Sequence, residues 1–245
     1  NIEGDIEVEA YRGNTVELEV RKEIRARGAA DVRQGMEDIQ VLVEEGEDYA
    51  KVIMTSPNQI IKEKDDPLNC SWDWNRNSSR LDYKYSLDYK IKVPEGISVK
   101  VSTVNNGDVS ITNVKGELYA GNVNGSVYLE GVSDNVKAKT VNGKLNVSMT
   151  KMPTDFASFD TVNGDITLEL PERNEGVFNF LTKWGKVYSD LEFDSKVAPK
   201  MQKVTNEVGG TKYKIANSNG YQIGKGGPTL DFETLNGDIR LKKKK

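Results

Sequence analysis

Four aspartates in this chain, Asp5, Asp108, Asp165 and Asp238, each follow a glycine and precede an Ile or Val. Carboxylates recurring at turns can hold calcium between stacked coils, as glycine- and aspartate-rich nonapeptide repeats do with paired turn glycines and an unbroken ladder of Asp. Here Glu117, Ser126, Asn135 and Lys144 occupy that position in the intervening turns, so the ladder is broken. The aspartates therefore read as turn formers, and no metal site is expected. Asn106, Asn124, Asn142, Asn163 and Asn236 stand directly before turn glycines. Their amides are placed to stack as a ladder from coil to coil, a structural use rather than a ligand site. Trp72, Trp74, Tyr83 and Tyr85, with Tyr89 close by, are the candidate binding group. Tryptophan faces stack on sugar rings, and Asp73, Asn75 and Arg76 would supply polar partners. The competing and favoured reading is structural: the same aromatics cap the end of an elongated core or staple the loop to it. Carboxylates are plentiful enough for acid–base cleavage of a polysaccharide, but no spacing brings two of them together.

Composition narrows the chemistry further. The chain has no histidine, which removes the commonest general base and transition-metal ligand. Its one cysteine, Cys70, permits no internal disulfide and has no histidine to activate it. No catalytic residue and no cofactor is assigned. The net charge of −4 is uneven: residues 1–50 hold 14 acids and 6 bases, while the chain closes on Lys242-Lys243-Lys244-Lys245. The strongly basic surface of a nucleic-acid binder is missing. No apolar run reaches the roughly 18 residues of a membrane helix. The chain opens directly on strand-like sequence, and we expect a mature or trimmed chain from which an export signal has been removed.

The elements that position these residues follow from one stretch. Thr103–Val147 is five units of nine residues laid end to end, with turn residues Gly107, Gly116, Gly125, Asp134 and Gly143. After each turn, apolar residues alternate with polar ones: Val109 and Ile111, Leu118 and Ala120, Val127 and Leu129, Val136 and Ala138, Leu145 and Val147. Period-two alternation specifies strands with one buried face. Asn-Gly turns and large aliphatics mark the first, third and fifth units, and alanines mark the second and fourth. The repeat is therefore 18 residues in two unlike halves. This predicts a coil of two strands, with bulky residues on one wall facing alanines on the other, each coil adding roughly 4.8 Å. An antiparallel meander with Asn-Gly hairpins is the competing reading; it explains a turn every nine residues but not the alternation at 18.

The signature recurs at Gly4, Gly164, Gly185 and Gly237. Between these rungs we expect a helix or ordered loop over residues 26–37, a polar loop over 62–78, a long strand over 81–93, an insertion over 149–156 and a protruding loop over 189–208. The predicted fold is all-β, a single elongated β-solenoid (parallel β-helix or β-roll-like, about 18–21 residues per coil) with irregular caps. Its parts are an N-terminal β segment and cap at 1–98, a regular core at 99–170, and irregular rungs with a C-terminal cap at 171–245.

The repeated Val-Asn-Gly rung, the entry segment YKIKVPEGISVKVSTVNNGDVSI and the closing ETLNGDIRL resemble the bacterial families of exported β-solenoid proteins labelled "putative adhesin". The resemblance is clearest over 89–170 and 231–241. It implies a secreted, periplasmic or surface-attached protein, often tethered as a lipoprotein, and brings no known activity or site residue. The expected function is a non-enzymatic envelope scaffold or adhesion-type module whose partners are glycans or another surface protein. A carbohydrate-binding or carbohydrate-active envelope protein is the alternative. A third is an intracellular scaffold that polymerises end to end.

Overall fold

The computed structural model describes residues 1–62, 71–74, 80–197, 201–205, 211–215 and 219–244, with 71–74, 201–205 and 211–215 described as backbone. Cys70 and Lys245 lie outside the described residues. Strands β1 (Ile6–Tyr11) and β2 (Glu17–Ala26) precede helix α1 (Ala29–Asp38). Two hairpins follow, β3 (Gln40–Glu45) with β4 (Ala50–Thr55), and β5 (Gln59–Lys62) with β6 (Ser71–Trp74). The long strand β7 (Tyr83–Pro94) leads into the repeat: β8 (Val99–Ser102), β9 (Val109–Thr112), β10 (Leu118–Gly121), β11 (Val127–Val132), β12 (Val136–Lys139), β13 (Leu145–Met149), β14 (Phe156–Asp160) and β15 (Ile166–Leu170). The last part holds β16 (Gly176–Thr182), β17 (Val187–Ser189), β18 (Ser195–Val197), β19 (Met201–Thr205), β20 (Thr211–Ile215), β21 (Asn219–Ile223), β22 (Thr229–Thr234) and β23 (Ile239–Lys243).

Two large sheets share one continuous apolar core. From β8 to β17 successive strands fall alternately on an eight-stranded sheet and a nine-stranded sheet. Their pairings are parallel and in register, Val109 on Val127 on Leu145 on Ile166 along one wall, and Leu118 on Val136 on Ala157 along the other. The Asn-Gly sites thus turn the chain from wall to wall and form no hairpins. The loops expected over 62–78 and 189–208 instead contain strands: β6 pairs with β5, β18 with β21, and β19 with β20.

The order of rungs departs from the order of the sequence. The nine-stranded sheet runs β17-β23-β15-β13-β11-β9-β1-β7-β2, and the eight-stranded sheet runs β18-β21-β16-β22-β14-β12-β10-β8. The N-terminal strand β1 is inserted between β7 and β9, and the C-terminal β22 and β23 enter between the rungs of β14–β15 and β16–β17. The rung at Gly185 therefore stacks on Gly237, not on Gly164 as chain order suggests.

The expected opposition of large and small residues holds for Ala120 and Ala138 and is then lost, because both walls become large. Phe159, Phe232 and Phe180 continue that same column, their rings stacked with centroids 5.3 and 5.2 Å apart. The change coincides with a longer spacing between turn glycines, 21 residues from Gly143 to Gly164. At the N-terminal end α1 seats on β2 and β7. Its Ala-rich start favours helix, and Gly35 is buried because a Cβ there would press on Ile24 and Tyr83, 2.7 and 2.9 Å away.

Candidate functional site

The recurring polar residues prove to be tied from rung to rung. Asn124, Asn142, Asn163 and Asn236 each donate a side-chain N–H to the amide oxygen of the preceding ladder member, at 2.7–2.8 Å. The first member is Asn105, not Asn106. The first turn carries Asn-Asn-Gly where the later ladder turns carry a single Asn before Gly, and the extra residue, Asn106, takes φ 53 and bonds Glu3. Glu3 also accepts from Asn105, capping the ladder with a carboxylate.

Sequence reasoning missed a second ladder. Thr103, Thr140, Thr161, Thr234 and Thr182 donate their hydroxyls to the carbonyls of Gly4, Gly125, Gly143, Gly164 and Gly237, and Asn122 does the same to Gly107. The signal was present as the Thr two residues before Asn105, Asn142, Asn163 and Asn236, with Asn122 in that place before Asn124. Turn glycines are required because consecutive turns touch backbone to backbone: a Cβ on Gly143 would overlap the carbonyl of Gly125.

The aspartates after glycine act in the same way. Asp5 accepts the backbone N–H of Asp108 at 2.7 Å, Asp108 that of Ser126 at 2.7 Å, Asp165 that of Asp238 at 2.9 Å and Asp238 that of Lys186 at 3.0 Å. The Asp238 N–H, aided by the Arg240 guanidinium, holds the Asp165 carboxyl below its ordinary range. Among the described residues no group of three or more His, Cys, Asp or Glu is arranged to hold a metal ion.

The expected aromatic group falls on two strands, β6 and β7. Tyr83 is buried, its hydroxyl donates to Asp38 at 2.7 Å, and burial together with that carboxylate pushes its pKa up. Tyr85 is half-buried and packs against the core, and Tyr89 is buried. Tyr83 and Tyr85 thus sit on the inward parity of β7. Trp72 and Trp74 are in β6, opposite Ile61 and Gln59, and their side chains lie outside the described residues.

The outward positions of the eight-stranded sheet bring together charges the sequence scatters. Register places Lys100, Tyr119, Lys137, Ser158 and Asp231 in one row across neighbouring strands, and Lys139, Asp160 and Glu233 in the next. The Lys100 and Lys139 ammonium groups lie 5.8 and 5.3 Å from the Tyr119 ring, and Lys137 lies 4.9 Å from Phe156. Asp231 accepts from Asn179 at 2.7 Å, and Ser158 donates to Asp160 at 2.8 Å. Burial, opposed by the Ser158 hydrogen bond and reinforced by Glu233 and Asp231, raises the pKa of Asp160. The face is basic and aromatic at one end and acidic at the other.

A family model described as Toastrack DUF4097 matches residues 95–221, just over half the chain. The match begins after β7 and ends before β22 and β23. Among solved structures, a "putative cell adhesion protein" from Clostridium sporogenes ATCC 15579 aligns at TM-score 0.42 and 11% identity, covering 98% of this chain and 88% of that one. No curated protein matches the chain. With its stacked Asn-Gly rungs matched over more than half its length, the chain belongs to the Toastrack DUF4097 family.

Proposed function

We propose that this protein is a non-enzymatic, exported β-solenoid that works as an envelope or surface interaction module. The observation that carries this reading is the use made of the repeated polar residues. The Asn, Thr and Asp of each turn are spent on bonds between rungs, so the repeat builds a rigid support. Recognition then falls to the outward positions that vary, above all the face of Lys100, Tyr119, Lys137 and Lys139 beside Asp160, Asp231 and Glu233. Such a face suits an extended or surface-bound partner lying across several rungs. The resemblance to exported adhesin-labelled families supports the location. Among the described residues no helix is long and apolar enough to cross a membrane.

Carbohydrate is the second reading, supported by Tyr119 and Phe156 set among lysines on that face. Screening the protein on a glycan array decides between the two. Binding that is lost in Lys137→Glu with Lys139→Glu makes the eight-stranded face a glycan site. Binding lost only in Trp72→Ala with Trp74→Ala moves it to β6. Absence of any glycan binding, with retention on isolated cell envelopes, points to a protein partner.

A further inference from the structure

We propose that two copies of this chain join through strand β17, edge to edge across a two-fold axis. The proposal is independent of the binding reading above. At the residue level, Val187 occupies the inward column held by Ile6, Val109, Val127, Leu145, Ile166 and Ile239, all at most 5% exposed. Val187 itself is 40% exposed. β17 ends its sheet, so among the described residues the backbone groups on its outer edge have no partner strand. Behind it a cavity of about 420 Å³ opens beside Phe180, Phe193 and Tyr221. Among the described residues nothing seals the core at this end. Exposed strand edges are templates for further pairing, and proteins that avoid it place charges on them.

The opposite edge of the same sheet is protected in that way. β2 carries Glu17, Glu19, Arg21, Glu23 and Arg25, and its Lys22 is bound to the carbonyls of Met36 and Ile39 at 2.8 Å. A head-to-tail chain of copies is therefore disfavoured, which leaves β17 to pair with itself. Its sequence fits. The strand and its flanks read Lys186-Val187-Tyr188-Ser189-Asp190. Antiparallel pairing centred on Tyr188 sets Lys186 of each copy opposite Asp190 of the other, Val187 opposite Ser189, and Tyr188 opposite Tyr188. Opposite charges directly across an antiparallel pair favour that register, and a self-complementary edge is what a two-fold interface requires. The Arg240 guanidinium, 5.4 Å from the Tyr188 ring centre, holds the central side chain in place. Lys186 and Asp190 tie to the rung behind through their backbone N–H groups, to Asp238 and Leu241, so exchanging their side chains spares the fold.

Sedimentation equilibrium on the full chain tests this. The wild type is expected to be a dimer at micromolar concentration. Lys186→Asp and Asp190→Lys each place like charges at both contacts, and each should weaken dimerisation at least about tenfold. An equimolar mixture of these two variants restores both opposite pairs and should dimerise again, as should the double charge-swap protein. Far-UV circular dichroism matching the wild type keeps unfolding out of the comparison. A wild type that stays monomeric at about 100 μM, single variants that dimerise like the wild type, a mixture that stays monomeric, or assemblies larger than two would overturn the proposal.

Discussion

Thr140 shows how a side chain of no evident chemical interest fixes the fold. Its buried hydroxyl donates at 2.8 Å to the carbonyl of Gly125, one rung back. Thr140→Val keeps the shape and strands that carbonyl, so denaturant unfolding should register a loss of about 1–3 kcal/mol. Thr140→Ser, which keeps the donor, should lose clearly less. Carboxylates make a second case. Asp165 is held below its ordinary pKa, so folding favours its ionised form. That contribution is complete above the unfolded value near 4 and disappears as pH falls through the depressed folded value. Asp160 is raised by burial, so its ionisation opposes folding as pH rises through its folded value. Melting curves should show Asp160→Asn more stable than the wild type at pH 7 and Asp165→Asn less stable, both differences shrinking toward pH 3. The amide ladder and the turn aspartates were legible because they repeat next to glycine. The threonine ladder was overlooked because Thr in a β-rich repeat already has a sufficient explanation in strand propensity. The grouping of Asp160 with Asp231 and Glu233 was not legible: about 70 residues separate strands that only pairing across the inserted rung makes neighbours.

Strand alternation was the most readable feature at the scale of elements. Burial follows the predicted parity through β9, β11, β13 and β15, with Val109, Ile111, Val127, Leu129, Leu145, Val147, Ile166 and Leu168 at most 3% exposed. Side-chain size was less so. The alanine column extrapolated from Ala120 and Ala138 gives way to Phe159, Phe232 and Phe180. Phe232 is stacked between the other two, so Phe232→Ala should cost about 3–5 kcal/mol. Because the three rings share one column, the Phe159→Ala, Phe232→Ala double variant should depart from additivity, a departure that a double-mutant cycle measures. Tyr83 and Tyr85 show where alternation alone is ambiguous. Aromatics that alternate on one strand read as a sugar platform or as core, and here burial against α1 and the hairpins decides for core.

The whole molecule is organised by two chain ends threaded into the interior of the ladder. β1 bonds to β7 on one side and β9 on the other, and β23 bonds to β15 and β17. A repeat period reports spacing along the chain and carries no record of insertion from afar, so it does not give the order of the rungs. Removing residues 1–11 should therefore separate β7 from β9 and abolish cooperative unfolding, a larger effect than a terminal rung of a sequential ladder would give. Hydrogen exchange should likewise find β1 protected as well as the central strands. We propose that this ladder presents its outward face to a partner in the cell envelope. The most direct test is retention of the purified protein on isolated envelopes, wild type against Lys137→Glu with Lys139→Glu, at matched fold and low salt. Retention of the wild type with release of the charge-reversed variant is the predicted result. Failure of the wild type to bind, or equal retention of both proteins, would contradict it.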